Sequence, residues 1–308
     1  MNNHPCLAGP PLVLGGNVFG WTADETTSFA VLDRFYELGG RMIDTAQGYS
    51  DWVPGHQGGE SEAVIGRWLA GSGVRADMRI GTKTGMHGEA GDLRPERVAT
   101  ELARSLERLQ TDYVDLYYAH RDETDTPQED VAAGFDALVE AGTVRELGAS
   151  NFSLARLTAL NNLAREAGSQ PFTVLQNEYN LVSRDDYGAD LQAYCVTHGI
   201  ITLPFYGLAS GFLTGKYRTR EDLAGQARGG GVGPYLERGL PVLQAMDAVA
   251  AQTGASLGAI ALAWLMAQPG IAAPLASART PEQLDVQFEA AALTLSPEQL
   301  AQLTDAGL

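Results

Sequence analysis

Residues 95–119 read PERVATELARSLERLQTDYVDLYYA, and this stretch holds the repeating unit of the chain. Its first part places Val98, Leu102, Leu106 and Leu109 on one helical face, at i, i+4, i+8 and i+11. Pro95 suits the first turn of that helix, where a missing N–H leaves no bond unmade. The pattern then changes. Tyr113–Ala119 is a short, nearly continuous apolar run, as expected of a strand buried on both faces. A helix leading into such a strand is part of a βα repeat with a parallel sheet.

The same alternation extends in both directions. Short apolar runs occur at Pro11–Leu14, Arg41–Thr45, Met78–Thr82, Tyr113–Ala119, Thr143–Ala149, Thr173–Gln176, Ile200–Phe205 and Ile271–Leu275. Amphipathic segments separate them: Phe29, Leu32 and Phe35 line one, and Val131, Phe135 and Leu138 line another. Thr22-Ala23-Asp24-Glu25 has the spacing of a capping box, and Gly142 stands where a helix C-cap falls. Eight repeats predict an α/β fold, a (β/α)8 TIM barrel forming a single domain over residues 1–308, with long loops at its C-terminal face. Two loops stand out. Ser50–Gly59 follows the second strand and carries Trp52 and His56. Residues 207–238 form a stretch of the length usual for a functional lid or a disordered loop, with Gly229-Gly230-Gly231 inside it.

Composition narrows the function. The 308 residues include 38 Asp and Glu against 21 Lys and Arg, a net charge of −17. Phosphate backbones and anionic membranes are both bound by clustered Lys and Arg, so neither partner is expected. An anionic cofactor remains compatible, because a few local cations and helix N-termini outweigh net charge at short range. Cys6 and Cys195 are far apart, which speaks against a disulfide framework. No Lys or Arg precedes Arg34, so a secretory signal would lack its basic region. The expected location is the cytoplasm. The familiar nucleotide, zinc and hydrolase motifs are missing. Gly15-Gly16-Asn17-Val18-Phe19-Gly20 lacks dinucleotide-fingerprint spacing, and none of the 11 tyrosines is followed four residues later by Lys.

Catalytic residues of a barrel lie at or just beyond the C-terminal ends of its strands. Read in order, those positions give Asp44 after the second strand, Lys83 at the third and His120 at the fourth, with Tyr49 in the loop that starts at Asp44. Taken singly, each of these residues reads as a loop cap, an ion-pair partner or a packing residue. Together, on consecutive strand ends, they read as a catalytic group. The chain uses Arg almost everywhere it wants a cation. Lys occurs only at positions 83 and 216. A buried ammonium needs a partner, and Asp44 on the next strand is the natural one. A charged Lys beside a phenol favours phenolate, which predicts a lowered pKa for Tyr49 and a proton donor usable near neutral pH.

With these residues in place, the chain resembles the aldo-keto reductases over nearly its whole length. The resemblance is carried by Ile43-Asp44-Thr45-Ala46 with Tyr49, by Gly59-Glu60-Ser61-Glu62 and Thr82-Lys83-Thr84, and by Arg104–Tyr117 leading into His120. Gly148-Ala149-Ser150-Asn151-Phe152, Gln176-Asn177-Glu178-Tyr179-Asn180, Leu213-Thr214-Gly215-Lys216-Tyr217 and Arg279-Thr280-Pro281-Glu282-Gln283-Leu284 follow in the family's order.

The resemblance implies a barrel that binds NAD(P)H without a Rossmann fold and interconverts a small carbonyl compound and its alcohol. It makes Tyr49 the general acid, tuned by Lys83 and Asp44, and gives His120 the task of orienting the carbonyl. Ser150, Asn151 and Gln176 match positions that hold the nicotinamide carboxamide, and Phe205 the aromatic that stacks on it. Tyr206, Leu208, Ser210, Gly211 and Lys216 fall in the pyrophosphate segment. Ser277, Arg279 and Gln283 match the region around the adenosine 2′-phosphate, which points to NADP as preferred cofactor with NAD possible. Val286 and Gln287 stand where the family often has Glu and Asn against adenine, and Phe205-Tyr206-Gly207 replaces the commoner aromatic-Ser-Pro. Trp21 and Trp52 are candidate walls of the substrate pocket. Some members of the family serve as cofactor-binding regulatory subunits, which is the competing expectation.

Overall fold

A computed structural model describes residues 4–86, 91–225 and 229–307. Eight strands are found among them: β1 (Val13–Gly15), β2 (Met42–Asp44), β3 (Arg79–Thr84), β4 (Val114–Ala119), β5 (Val144–Ser150), β6 (Val174–Gln176), β7 (Ile201–Thr202) and β8 (Leu275–Ala276). Every ladder is parallel, and the strands run in the order β7-β6-β5-β4-β3-β2-β1-β8. The last seam is closed by backbone bonds. Thr202 N–H donates to Gly270 C=O at 2.9 Å, Ala272 N–H to Thr202 C=O at 2.9 Å, and Leu275 N–H to Pro204 C=O at 3.0 Å. The eighth apolar run, Ile271–Leu275, thus makes the seam, while the ladder with β1 starts only at its last residue.

Helices alternate with the strands. α1 (Glu25–Glu37), α2 (Glu60–Ser72), α3 (Pro95–Leu109), α4 (Gln128–Glu140), α5 (Leu154–Ala167) and α6 (Ala189–His198) follow β1 to β6 in turn. α7 (Gly229–Thr253) and α8 (Leu257–Met266) lie between β7 and β8, and α9 (Glu282–Ala292) and α10 (Pro297–Ala306) come after β8. The eight predicted repeats are therefore present as a (β/α)8 barrel. No single helix among the described residues is long and apolar enough to cross a membrane.

Period-two alternation sorts the strand side chains into two cores. Met42, Leu116, Tyr118 and Val174 point inward and form the barrel interior with Val13, Leu203 and Ala273. Their neighbours Ile43, Tyr117 and Leu175 point outward, against helix residues such as Phe35, Ile65 and Phe135. Cys6, fully buried, and Leu7 close the interior from the chain's first described residues.

Two local expectations are corrected. The N-cap of α1 is Asp24, whose carboxylate accepts the Thr27 N–H at 2.8 Å, so the box read from Thr22 is displaced by two residues. A carboxylate is the stronger partner for the free N–H groups and dipole of a helix start. The long loop read as 207–238 is also shorter. It tightens into 3-10 turns at Ala209–Thr214 and Glu221–Leu223, and α7 begins at Gly229. The three glycines disfavour helix, but Val232, Tyr235 and Leu236 sit at helical spacing and are buried, Tyr235 stacking on Phe212 with centroids 6.2 Å apart. Burial of that face outweighs the propensity cost.

α2 packs on α3 through Gly66. A Cβ there would lie 2.0 Å from the Arg108 carbonyl oxygen and 2.8 Å from Leu109 backbone atoms. Gly71, on the same helix, has nothing within 4 Å. Gly66→Ala should therefore destabilise the fold by about 1–3 kcal/mol, the cost of overpacking. Gly71→Ala should be neutral or stabilise by up to about 1 kcal/mol. Urea unfolding of both variants checks the contrast.

Candidate active site

The alternation that builds the interior also aims the site. Met42 and Asp44 point inward on β2, and on β3 Lys83 points inward while Thr82 points out to bond Glu62 of α2 at 2.6 Å. Asp44 and Lys83 are fully buried and form an ion pair. The Lys83 ammonium uses all three of its protons: it donates to the Asp44 carboxylate, to the Thr45 C=O at 2.8 Å and to the Tyr49 hydroxyl at 3.0 Å. Tyr49 in turn donates to Asp44 Oδ1 at 3.4 Å. Gln176, reaching across from β6, donates its amide to Asp44 Oδ2 at 3.0 Å. Ser61 fastens α2 to this end of the barrel through the Gly16 C=O and Thr45 Oγ1, both at 2.8 Å.

The electrostatics correct one expectation. Burial, then the charge of Asp44 and the bond to it, push the Tyr49 phenol well above its ordinary value. Lys83 does not lower it, because burial weakens the ammonium's own hold on its proton and Asp44 takes up its charge. His120 is driven well below its ordinary value, by burial first and by the Lys83 charge second. The site thus presents a protonated phenol and a neutral imidazole. Tyr49 and His120 face each other edge-on with ring centroids 6.0 Å apart. The His120 Nδ1 has no hydrogen-bond partner among the described residues.

Above this pair opens a cavity of about 1050 Å³, at the upper end of the usual range for ligand sites. Tyr49 and His120 line it, while Asp44 and Lys83 lie beneath its floor. Ser150, Asn151 and Gln176 form the adjoining wall. Asn151 adopts a left-handed conformation (φ 58°) that lets its amide reach the His120 C=O at 2.9 Å. Phe205, Tyr206, Leu208, Ser210, Gly211 and Lys216 line the next sector, and Ser277, Arg279, Gln283 and Gln287 the far end.

Several of these groups have unused bonding capacity. The Lys216 ammonium rests 4.8 Å from the Tyr217 ring centroid, and the Arg279 guanidinium has no ion-pair partner among the described residues. Gln287 Oε1 is buried without a hydrogen bond. Tyr206, Ala209, Ser210 and Gly211 all have positive φ, between 47° and 93°. For the three that are not glycine this costs about 1–2 kcal/mol each, and such runs cluster at ligand clamps.

Trp52 lines the cavity mouth and is half exposed. Trp21 does not line it; it packs edge-on against Trp52 at 5.5 Å and so supports the wall from behind. Sequence reading missed Asn17, Met86 and Thr214 as lining residues. Asn17 was accessible to it, being just past the end of β1. Thr214 lies inside the Leu213–Tyr217 motif, whereas Met86 carries no signal of its own, since only the turn after β3 brings it in.

Lys83 and Asp44 depend on one another. Lys83→Met should leave a buried carboxylate without its cation and cost roughly 3–5 kcal/mol. Asp44→Asn combined with Lys83→Met should recover most of that loss. Chemical denaturation of the single and double variants at neutral pH measures the difference.

Comparison with known proteins agrees with this architecture. The model of the Aldo/keto reductase family matches residues 11–307. The chain is 31% identical to norsolorinic acid reductase of Aspergillus flavus, over 96% of this chain and 77% of that protein. It is 32% identical to aryl-alcohol dehydrogenase [NADP(+)] of Phanerodontia chrysosporium, over 92% and 77% respectively. It is 31% identical to aldo-keto reductase YhdN of Bacillus subtilis, over 92% and 84%. With a family match spanning the whole barrel, and with the buried pair and cavity at its C-terminal face, the chain is a member of the aldo/keto reductase family.

Proposed function

We propose that the protein is an NAD(P)H-dependent carbonyl reductase, working on the aldehyde or ketone of an aromatic compound or, in reverse, on its alcohol. The observation that carries this reading is the Lys83 ammonium bonded at once to Asp44 and to the Tyr49 hydroxyl beneath a large cavity. A reduced nicotinamide, when bound, supplies the hydride. The residues that suit its carboxamide are Ser150, Asn151 and Gln176, with Phe205 beside the ring. Gln176 donates one amide proton to Asp44 Oδ2, and its carbonyl suits a donor in the cavity. Lys216, beside the left-handed residues Ala209–Gly211, suits the pyrophosphate as a local cation. Arg279 suits a 2′-phosphate, which favours NADP, and the unpartnered Gln287 Oε1 suits an adenine amine.

The chain's own residues then supply the proton. Tyr49, protonated at neutral pH, gives its proton to the carbonyl oxygen as negative charge develops there. The phenolate left behind keeps the Lys83 ammonium at hydrogen-bond distance, and Asp44 holds that ammonium in place. His120 stays neutral and orients the carbonyl without competing for the proton. Trp52, Met86, Phe205 and Tyr206 present apolar surface to the substrate. An aromatic substrate is supported by those walls and by relatives named as an aryl-alcohol dehydrogenase and a norsolorinic acid reductase.

Two measurements test this reading. Tyr49→Phe should reduce turnover of an aryl aldehyde by roughly 10²–10⁴-fold, the range for general acid catalysis, with NADPH affinity little changed. Retained turnover would place the acid elsewhere, and NADPH binding by the wild type without turnover on any aldehyde would favour a regulatory role. Arg279→Ala should weaken NADPH by roughly 1.5–3 kcal/mol, the range for hydrogen bonds to a charged group, and leave NADH nearly unchanged. Fluorescence titration with each cofactor reads the difference, and equal losses for both would remove Arg279 from phosphate recognition.

A further inference from the structure

Gln47 stands two residues before Tyr49 and takes no part in the cavity wall. Its side chain is nonetheless buried and fully engaged. The amide oxygen accepts from Thr84 Oγ1 at 3.1 Å, and the amide nitrogen donates to the Glu101 carboxylate. Its backbone N–H donates to the Lys83 C=O at 3.2 Å. Glu101 lies on α3, 54 positions away, and is 1% exposed. Its other oxygen is held by Arg97 at 3.0 Å and Arg104 at 2.7 Å. A carboxylate so deeply buried is costly unless its lone pairs are used, and here three donors use them.

Lys83 holds the β2–α2 turn from the barrel side, through the Thr45 C=O and the Tyr49 hydroxyl. Within the turn, the Tyr49 N–H bonds to Ala46 C=O and the Asp51 N–H to Gly48 C=O, both at 3.2 Å. The Gln47 side chain joins the turn to α3 and to Thr84, and the Thr84 C=O in turn accepts the His120 N–H at 2.8 Å. We propose that Gln47 and Glu101 are positioning residues: α3, through this carboxylate–amide bond, sets where the Tyr49 hydroxyl sits relative to Lys83 and His120. The inference rests on Tyr49 being the proton donor of a carbonyl reductase.

The bond is reversible in chemical sense, which provides the test. In Gln47→Glu two carboxylates would face each other with no proton between them, and the turn should move. In Gln47→Glu with Glu101→Gln, the new amide donates to Glu at 47, Thr84 still donates to it, and the amide oxygen at 101 still accepts from Arg97 and Arg104. The single variant should lose on the order of 10–10²-fold in kcat, as expected of an ångström-scale misplacement, with KM for NADPH within about twofold of wild type. The double variant should regain most of the lost kcat, because the two changes are coupled through one bond. Near-ultraviolet circular dichroism of the Tyr49, Trp52 and Trp21 cluster should change in the single variant and return in the double, independently of activity. A single variant with kcat within about twofold of wild type, or a double variant no better than the single, would overturn the proposal. A wild-type protein that reduces no carbonyl would instead overturn the functional reading, and the dichroism would still report whether the bond positions the turn.

Discussion

The site is organised around one buried ammonium. Lys83 has no access to water, and a charge in that position is tolerated only if its environment replaces hydration completely. Three acceptors do so, from β2, from the residue after it and from the turn beyond. Each must lie within bond length of one nitrogen atom, which fixes β2, β3 and the Tyr49 turn against one another. A parallel barrel meets this demand without special local structure. Strand alternation sends residues 44 and 83 inward, and the register between neighbouring strands places Asp44 beside Gly81, one pleat below the lysine. The missing side chain at Gly81 leaves space there: a Cβ would sit 3.7 Å from Asp44 Oδ2.

The same ion pair sets the electrostatic character of the cavity. Burial first, and then the Asp44 charge and the bond to it, make Tyr49 a strong holder of its proton. Lys83 and burial together keep His120 neutral. A phenol held protonated beside an imidazole held neutral is a difference set by environment and not by residue type. At the far end, an acidic chain places two cationic side chains, Lys216 and Arg279, that have no ion-pair partner among the described residues. Local cations near an anion outweigh distant negative charge, because exposed charges are screened beyond about 10 Å at moderate salt.

Much of this was legible in the residue order. The eight runs were visible because strands buried on both faces are apolar at successive positions. Asp44, Lys83 and His120 stood out because the ends of such runs are the places where a barrel exposes polar groups. The scarcity of lysine singled out Lys83, and the structure gives that scarcity a reason: three acceptors converge on a compact ammonium, where a planar guanidinium would not fit the same geometry. Two boundaries were misread for local reasons. The Gly-rich start of α7 was read from propensity, which burial of Val232 and Tyr235 overrides. The cap of α1 was read from a spacing that a nearby aspartate satisfied better.

What the sequence by itself determined was the fold and the polar residues at the ends of β2, β3 and β4, since both follow from periodicities of two and 3.6 and from residue types at strand ends; the residues of the wider cavity came from the resemblance. What only the tertiary structure decided was the state of those residues. The direction of the Tyr49 shift depends first on how far water is excluded and then on the Asp44 charge and the bond to it, and neither is written in spacing. The contact between Gln47 and Glu101 is equally invisible in one dimension: the two are 54 positions apart, in a turn and on a helix with no shared pattern. A hydrogen bond acts over about 3 Å, so its partners are settled only when the barrel closes and brings α3 alongside the turn.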